Sequence, residues 1–90
     1  PVTIGRSEDA DVRIPCRWAS RKHCEIAASN GVLVLRDLRS RYGTTVNGRP
    51  VHETDLVAGD EVTVGLKRFV VEIDQSQQID VESEVQTSTL

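Results

Sequence analysis

The sequence predicts an all-β domain folded as a sandwich, and three observations predict it. Apolar residues alternate with period two or form short bounded runs, no stretch before residue 74 sustains a helical spacing, and turn-forming residues punctuate the runs. Strands are expected at residues 2–5, 12–14, 24–28, 32–37, 45–46, 61–64 and 69–73, spaced as in a β-sandwich. The first runs into a loop at Gly5-Arg6, and the second stops at Pro15, a residue that belongs at strand ends or loops, as does Pro50. The third and fourth flank Asn30-Gly31, the pair a two-residue type I′ turn needs because both central positions take positive φ. Asn47-Gly48, after the fifth, is a second hairpin signal, and residues 49–56 read as a connection. Gly59-Asp60 and residues 65–68 punctuate the last two strands, whose inward side chains are expected to be Val62, Val64, Phe69, Val71 and Ile73.

Ninety residues are enough for one small core and too few for two, so one domain is expected, over residues 1–74. Residues 75–90 turn polar and acidic, too poor in apolar groups to offset the entropy of ordering. Ile79, Val81 and Val85 nevertheless share one strand face, which leaves a flexible tail or a strand docked on an open sheet edge as alternatives. The chain begins at Pro1 and contains no Met, as expected of an excised domain whose targeting signals would lie outside it.

Charge divides the chain. Residues 1–49 hold nine Lys and Arg against five Asp and Glu, a net +4, whereas residues 50–90 hold two against nine, a net −7. The basic half suits a small anionic ligand, and the acidic half opposes a long polyphosphate, so no nucleic-acid partner is expected. Trp18, Tyr42 and Phe69 are the only aromatics, too few for a base-stacking platform. No run approaches the roughly 20 apolar residues of a membrane span, and no membrane association is expected. Two cysteines, Cys16 and Cys24, do not make a disulfide framework, which points to a reducing, cytoplasmic compartment.

The residues that carry chemistry lie in loops: Gly5-Arg6, Ser20-Arg21-Lys22-His23, and Ser40-Arg41-Tyr42-Gly43-Thr44-Thr45-Val46-Asn47-Gly48. They combine guanidinium groups, hydroxyls and turn glycines, which bind a dianion without reacting with it. Arg6 offers a planar fork of donors that stays charged at any working pH, and Ser20 offers a hydroxyl. Ser20, His23 and Asp37 invite a catalytic-triad reading, but no nucleophile turn or oxyanion hole accompanies them, so an enzyme is not expected. Cys16, His23, Cys24 and His52 lack zinc-ligand spacing, and Gly43 and Gly48 are not followed by the lysine of a nucleotide loop, so neither metal nor cofactor is expected. Trp18 is read either as a ligand-facing aromatic or as a cover over the sandwich end; the cost of a lone exposed Trp favours the cover.

These segments, with Asp37-Leu38-Arg39-Ser40 and Gly59-Asp60-Glu61-Val62-Thr63-Val64-Gly65, resemble the forkhead-associated (FHA) domain in order and spacing over residues 2–73. The resemblance implies a twisted antiparallel sandwich of two sheets with ligand loops at one end. It further implies a phosphothreonine-dependent protein- or peptide-binding module, an adaptor in Ser/Thr kinase signalling without catalysis. Arg6 and Ser20 would contact the phosphate, Arg21 would shape the loop or reach the peptide, and Ser40, Arg41 and Tyr42 would complete the binding surface. Gly5, His23, Gly43, Thr44, Asn47 and Gly48 would support the loops. Tyr42 stands where the family commonly has an asparagine that bonds the peptide main chain, and Arg41 beside it can compensate with a charge-assisted bond. That departure keeps open a phospho-independent interaction or dimerisation module on the same fold. The family usually lays down one strand before the point where this chain opens, which leaves that edge truncated, filled by the tail or filled by a second copy. Thr87, Ser88 and Thr89 in the tail are candidate phosphoacceptors. The oligomeric state is left open.

Overall fold

Alternating apolar and polar side chains sort the chain into two five-stranded sheets that close on a shared aliphatic core. The computed structural model describes residues 1–73 and 79–83. In chain order the strands are β1 (Val2–Gly5), β2 (Val12–Arg13), β3 (Cys24–Ser29), β4 (Val32–Asp37), β5 (Thr44–Val46), β6 (Arg49–Val51), β7 (Glu53–Leu56), β8 (Glu61–Val64), β9 (Lys67–Ile73) and β10 (Ile79–Ser83). One sheet has the order β2-β1-β3-β4-β7 and the other β10-β9-β8-β5-β6. All pairs are antiparallel except β1 and β2, which run parallel with Ile4 opposite Val12.

The core forms where the period-two pattern turns inward. Ile4, Cys24, Ile26, Leu33, Leu35 and Leu56 come from the first sheet, and Val46, Val62, Val64, Phe69 and Val71 from the second. Ile14 and Ala19, on the segment between β2 and β3, join them. Burial raises the Cys24 thiol to about 12, against the pull of the Thr44 hydroxyl and with a smaller push from Asp37 and Glu25. Both cysteines are free thiols.

Residues 49–56 are not a plain connection, as the sequence led us to expect; they form β6 and β7, the outer strands of the two sheets. Both were hard to recognise because edge strands carry polar side chains on their open faces, and of β7 only Leu56 is buried. Pro50 sits inside β6, a position tolerated at a sheet edge. Residues 79–83 pair antiparallel with β9, Ile79 opposite Ile73 and Ser83 opposite Phe69, and form the edge of that sheet. Residues 74–78 and 84–90, with Val85, Thr87, Ser88 and Thr89, lie outside the described residues, as do the side chains of Ile73 and of residues 79–83.

The register separates two ends. At one end lie the β1–β3 connections, the β4–β5 loop and the β8–β9 turn, because Ile4 pairs with Cys24, Cys24 with Asp37, and Thr44 with Val64. At the other end Asn30 and Gly31 take φ of 53° and 78° between β3 and β4, and Asn47 and Gly48 take 53° and 84° between β5 and β6. Two type I′ hairpins account for these angles. Asn47 and Gly48 are therefore separated from the β4–β5 loop by the length of β5, and they do not belong to one clasp with residues 40–43. The Asn47 amide instead donates to Asp60 at 2.9 Å and accepts the Glu61 N–H at 2.9 Å.

Asn47→Ala is expected to lower the unfolding free energy by about 1–3 kcal/mol, through the loss of both bonds and of a residue suited to positive φ. Urea denaturation reads the loss, and amide chemical shifts of residues 38–43 are expected to stay in place because that loop lies at the opposite end.

Candidate functional site

The site begins where β1 ends. Gly5 is buried against the backbone of Arg21 and His23 so closely that a Cβ would drive into the Arg21 carbonyl oxygen. That approach lets Arg6 N–H donate to Ser20 O at 2.9 Å, Ser7 N–H to Arg21 O at 3.1 Å and His23 N–H to Ile4 O at 2.9 Å. The Arg6 Nε donates to Ala19 O at 3.0 Å, which fixes the guanidinium by one edge and leaves its Nη groups without a partner among the described residues.

His23 couples this segment to the β4–β5 loop. Its ring is fully buried; Nδ1 accepts the Ser20 N–H at 2.9 Å, and Nε2 donates to the Gly43 carbonyl at 2.8 Å. Because the Ser20 N–H can only donate and the Gly43 carbonyl can only accept, the ring proton resides on Nε2. Gly43 has φ of 87°, which turns its carbonyl toward the ring at a cost only glycine avoids.

Asp37 organises the second loop, and its sequence context alone did not place it in the site. Its carboxylate accepts the Ser40 hydroxyl at 2.6 Å, the Thr44 hydroxyl at 2.7 Å and the Ser40 N–H at 3.0 Å. Arg39 inside this turn has φ of 58°, a strained angle for a non-glycine residue that the carboxylate bonds hold in place. The Asp-x-x-Ser spacing was the available signal, since aspartate commonly bonds its own loop backbone. Ser40 was expected to touch ligand, but its proton is committed to Asp37 and its oxygen accepts the Gly43 N–H at 2.9 Å. It therefore scaffolds the loop. Burial pushes the Asp37 carboxyl up, yet the bonds from Ser40 and Thr44 outweigh it and hold the carboxyl below its usual value.

The two loops meet at Ser20, whose Oγ accepts the Arg41 N–H at 2.9 Å. Its own hydroxyl proton has no acceptor among the described residues. Beside this junction opens a cleft of about 860 Å³ lined by Arg6, Ser7, Glu8, Asp9, Arg13, Pro15, Cys16, Arg17, Trp18, Arg21, Arg41 and Tyr42. The structure thus brings Arg6, Arg21, Arg41 and Tyr42 to one cavity, with Ser20 joined to it through Arg41. Gly5, His23 and Thr44 are buried, Gly43 is exposed with its carbonyl bonded to the His23 ring, and Asn47 and Gly48 lie at the far end. Trp18 lines the cleft and is 38% exposed, not a lid on the core. Tyr42 meets it edge to face, ring centroids 5.2 Å apart, so the indole is not alone in water. Arg13 and Arg17 also line the cleft, and no pattern in the sequence marked them. No three His, Cys, Asp or Glu side chains among the described residues are placed to hold a metal ion.

The lowered Asp37 pKa gives a sign for pH dependence. A carboxylate held below its unfolded value stabilises the fold above about pH 4, and that contribution disappears as pH falls through the folded value. Asp11, lowered by the backbone and side chain of Thr3, acts in the same direction. Thermal melts from pH 6 to pH 2 are expected to show a shallower acid decline for Asp37→Asn than for wild type, with stability at pH 6 lower by about 1–3 kcal/mol.

Comparison with known proteins matches the geometry. The FHA domain family model matches residues 2–65. The FHA domain-containing protein FhaA of Mycobacterium tuberculosis is 44% identical over 68 residues, which cover 76% of this chain and 13% of FhaA, so the chain spans a small part of that relative. A structure from a structural and functional analysis of phosphothreonine-dependent FHA domain interactions superimposes with a TM-score of 0.77 at 42% identity, covering 80% of this chain and 75% of the other. The FhaA FHA domain complexed with the intracellular domain of Rv3910 superimposes at 0.72 with 43% identity, covering 76% and 75%. The family model and these relatives each cover most of this chain, and the chain belongs to the forkhead-associated (FHA) domain family.

Proposed function

We propose that this chain is a phosphothreonine-dependent protein- and peptide-binding module that serves as an adaptor in Ser/Thr kinase signalling and performs no reaction. One observation carries the proposal: the Arg6 Nη groups and the Ser20 hydroxyl proton are left without acceptors among the described residues, where two rigidly coupled loops meet at an open basic cleft. A phosphothreonine brings about −1.5 to −2 charges and three strong acceptor oxygens, which match fixed donors better than a diffuse positive surface. Arg6 and Ser20 bind the phosphate, Arg41 is the third donor, and Arg21 and Tyr42 face the peptide. The likeness to a domain studied for phosphothreonine-dependent interactions, and to one complexed with an intracellular domain, supports this assignment.

The hydrolase alternative finds no support in the ring of His23. Both nitrogens are occupied by main-chain groups, so neither stands as base to the Ser20 Oγ.

A short phosphopeptide held by a few polar contacts is expected to bind with about 7–8 kcal/mol, near micromolar. Calorimetry with matched phosphothreonine, phosphoserine and unmodified peptides is expected to give heat only with a phosphate, and most with phosphothreonine. Equal binding of the unmodified peptide would assign the chain to a phospho-independent interaction module. Arg6→Ala is expected to remove about 2–5 kcal/mol of binding, because the phosphate loses a charged partner in a partly desolvated site.

A further inference from the structure

The cleft holds more positive charge than one phosphate requires. Five arginines line it against two carboxylates, Glu8 and Asp9, and none of the five makes an ion pair among the described residues. Like charges gathered without counterions raise the free energy of the empty protein, and a ligand that neutralises them recovers it. A phosphothreonine supplies about −1.5 to −2 charges, which leaves part of the excess unmatched.

The unmatched part has a place. Arg13 Nε donates to the Arg6 carbonyl at 3.3 Å, so its guanidinium is tethered to the backbone of the proposed phosphate-binding residue. Arg17 lies over the Trp18 ring, 5.3 Å from the centroid. Trp18 in turn packs on Tyr42, which joins this wall to the second loop. Two guanidinium groups that line the cleft are thereby held, one by a hydrogen bond and one by an aromatic face.

We propose that Arg13 and Arg17 form a second anionic subsite, which takes another negatively charged side chain of the same bound peptide. This rests on the phosphothreonine reading of the cleft and assigns the selectivity of that site to the 12–18 segment. The occupant is a carboxylate or a second phosphate flanking the phosphothreonine. A surface-exposed guanidinium pair favours either through charge and forked donors, and the preference weakens with salt.

Fluorescence anisotropy tests it with labelled phosphothreonine peptides. The parent carries alanine at all flanking positions; a single glutamate is then walked from four residues before to four residues after the phosphothreonine, and a second phosphothreonine is walked likewise. At about 0.05 M salt, at least one position is expected to tighten wild-type binding by about three- to fivefold with glutamate, and by more with phosphate. Arg13→Gln with Arg17→Gln is expected to abolish that gain while holding the parent peptide within about threefold. Arg17→Gln alone, which leaves the Arg6 tether intact, is expected to lose part of it, and Arg49→Gln, at the far end of β5, none. A gain that appears with glutamate identifies a carboxylate subsite, and one confined to the second phosphate identifies a phosphate subsite; both support the proposal. Parent binding with no gain at any position, or a gain that survives the double substitution, overturns the subsite and leaves the phosphothreonine reading standing. A wild-type protein that does not distinguish the parent from its unphosphorylated form overturns both.

Discussion

The buried imidazole of His23 is the contact on which the ligand end depends. Two loops separated by some twenty residues in sequence also meet through an exposed ring contact and the exposed bond from the Arg41 N–H to Ser20, and such exposed bonds compete with water. His23 replaces that competition with two bonds in a dry setting, one from the Ser20 N–H and one to the Gly43 carbonyl. Its own N–H is held by Ile4 and its carbonyl by Leu38, so the ring rides on a backbone fixed by both neighbouring segments. Ser20 and Arg41 meet because the main chain on either side of them is anchored to one ring.

Asp37 does for the second loop what His23 does between loops. Three donors on one carboxylate hold a turn that contains a left-handed Arg39, a conformation the local sequence would not choose. Strain of this kind survives where the surroundings over-determine it, and it collects near binding sites. The ordering cost is met before any ligand arrives, so the donors of Arg6, Ser20 and Arg41 need little further immobilisation on binding.

The same rigidity allows the cleft to concentrate positive charge. Arg6 and Arg13 are each fixed by a backbone carbonyl, and Arg17 and Arg41 each lie over an aromatic ring. Carboxylates that could neutralise them locally, Glu8 and Asp9, stand in the same cleft without pairing among the described residues. Surface ion pairs elsewhere on the domain, such as Arg36 with Glu25 and Glu53, mark the ordinary arrangement from which the cleft departs. An anionic partner meets a site whose positive groups are already held and oriented.

Local pattern is the part of this protein that the sequence by itself determined. Period two set which faces of β3, β4 and β8 turn inward; Asn-Gly set two hairpins; and the order of Gly5-Arg6, Ser20, His23 and Gly43-Thr44 carried the family resemblance. Alternation fixes the side on which a residue lies but not the strand beside it, so the parallel partner of β1, the edge strands β6 and β7, and the distance of Asn47 from the clasp were decided only by tertiary pairing. The same holds for chemistry. Ser40 reads as a ligand hydroxyl until Asp37 is seen to take its proton, and Arg13 and Arg17 read as solvated charges until the fold places them beside Arg6 and Trp18. Donor types are written in the sequence, but whether a donor is free or already engaged depends on neighbours that are distant along the chain, and only the folded backbone brings those together.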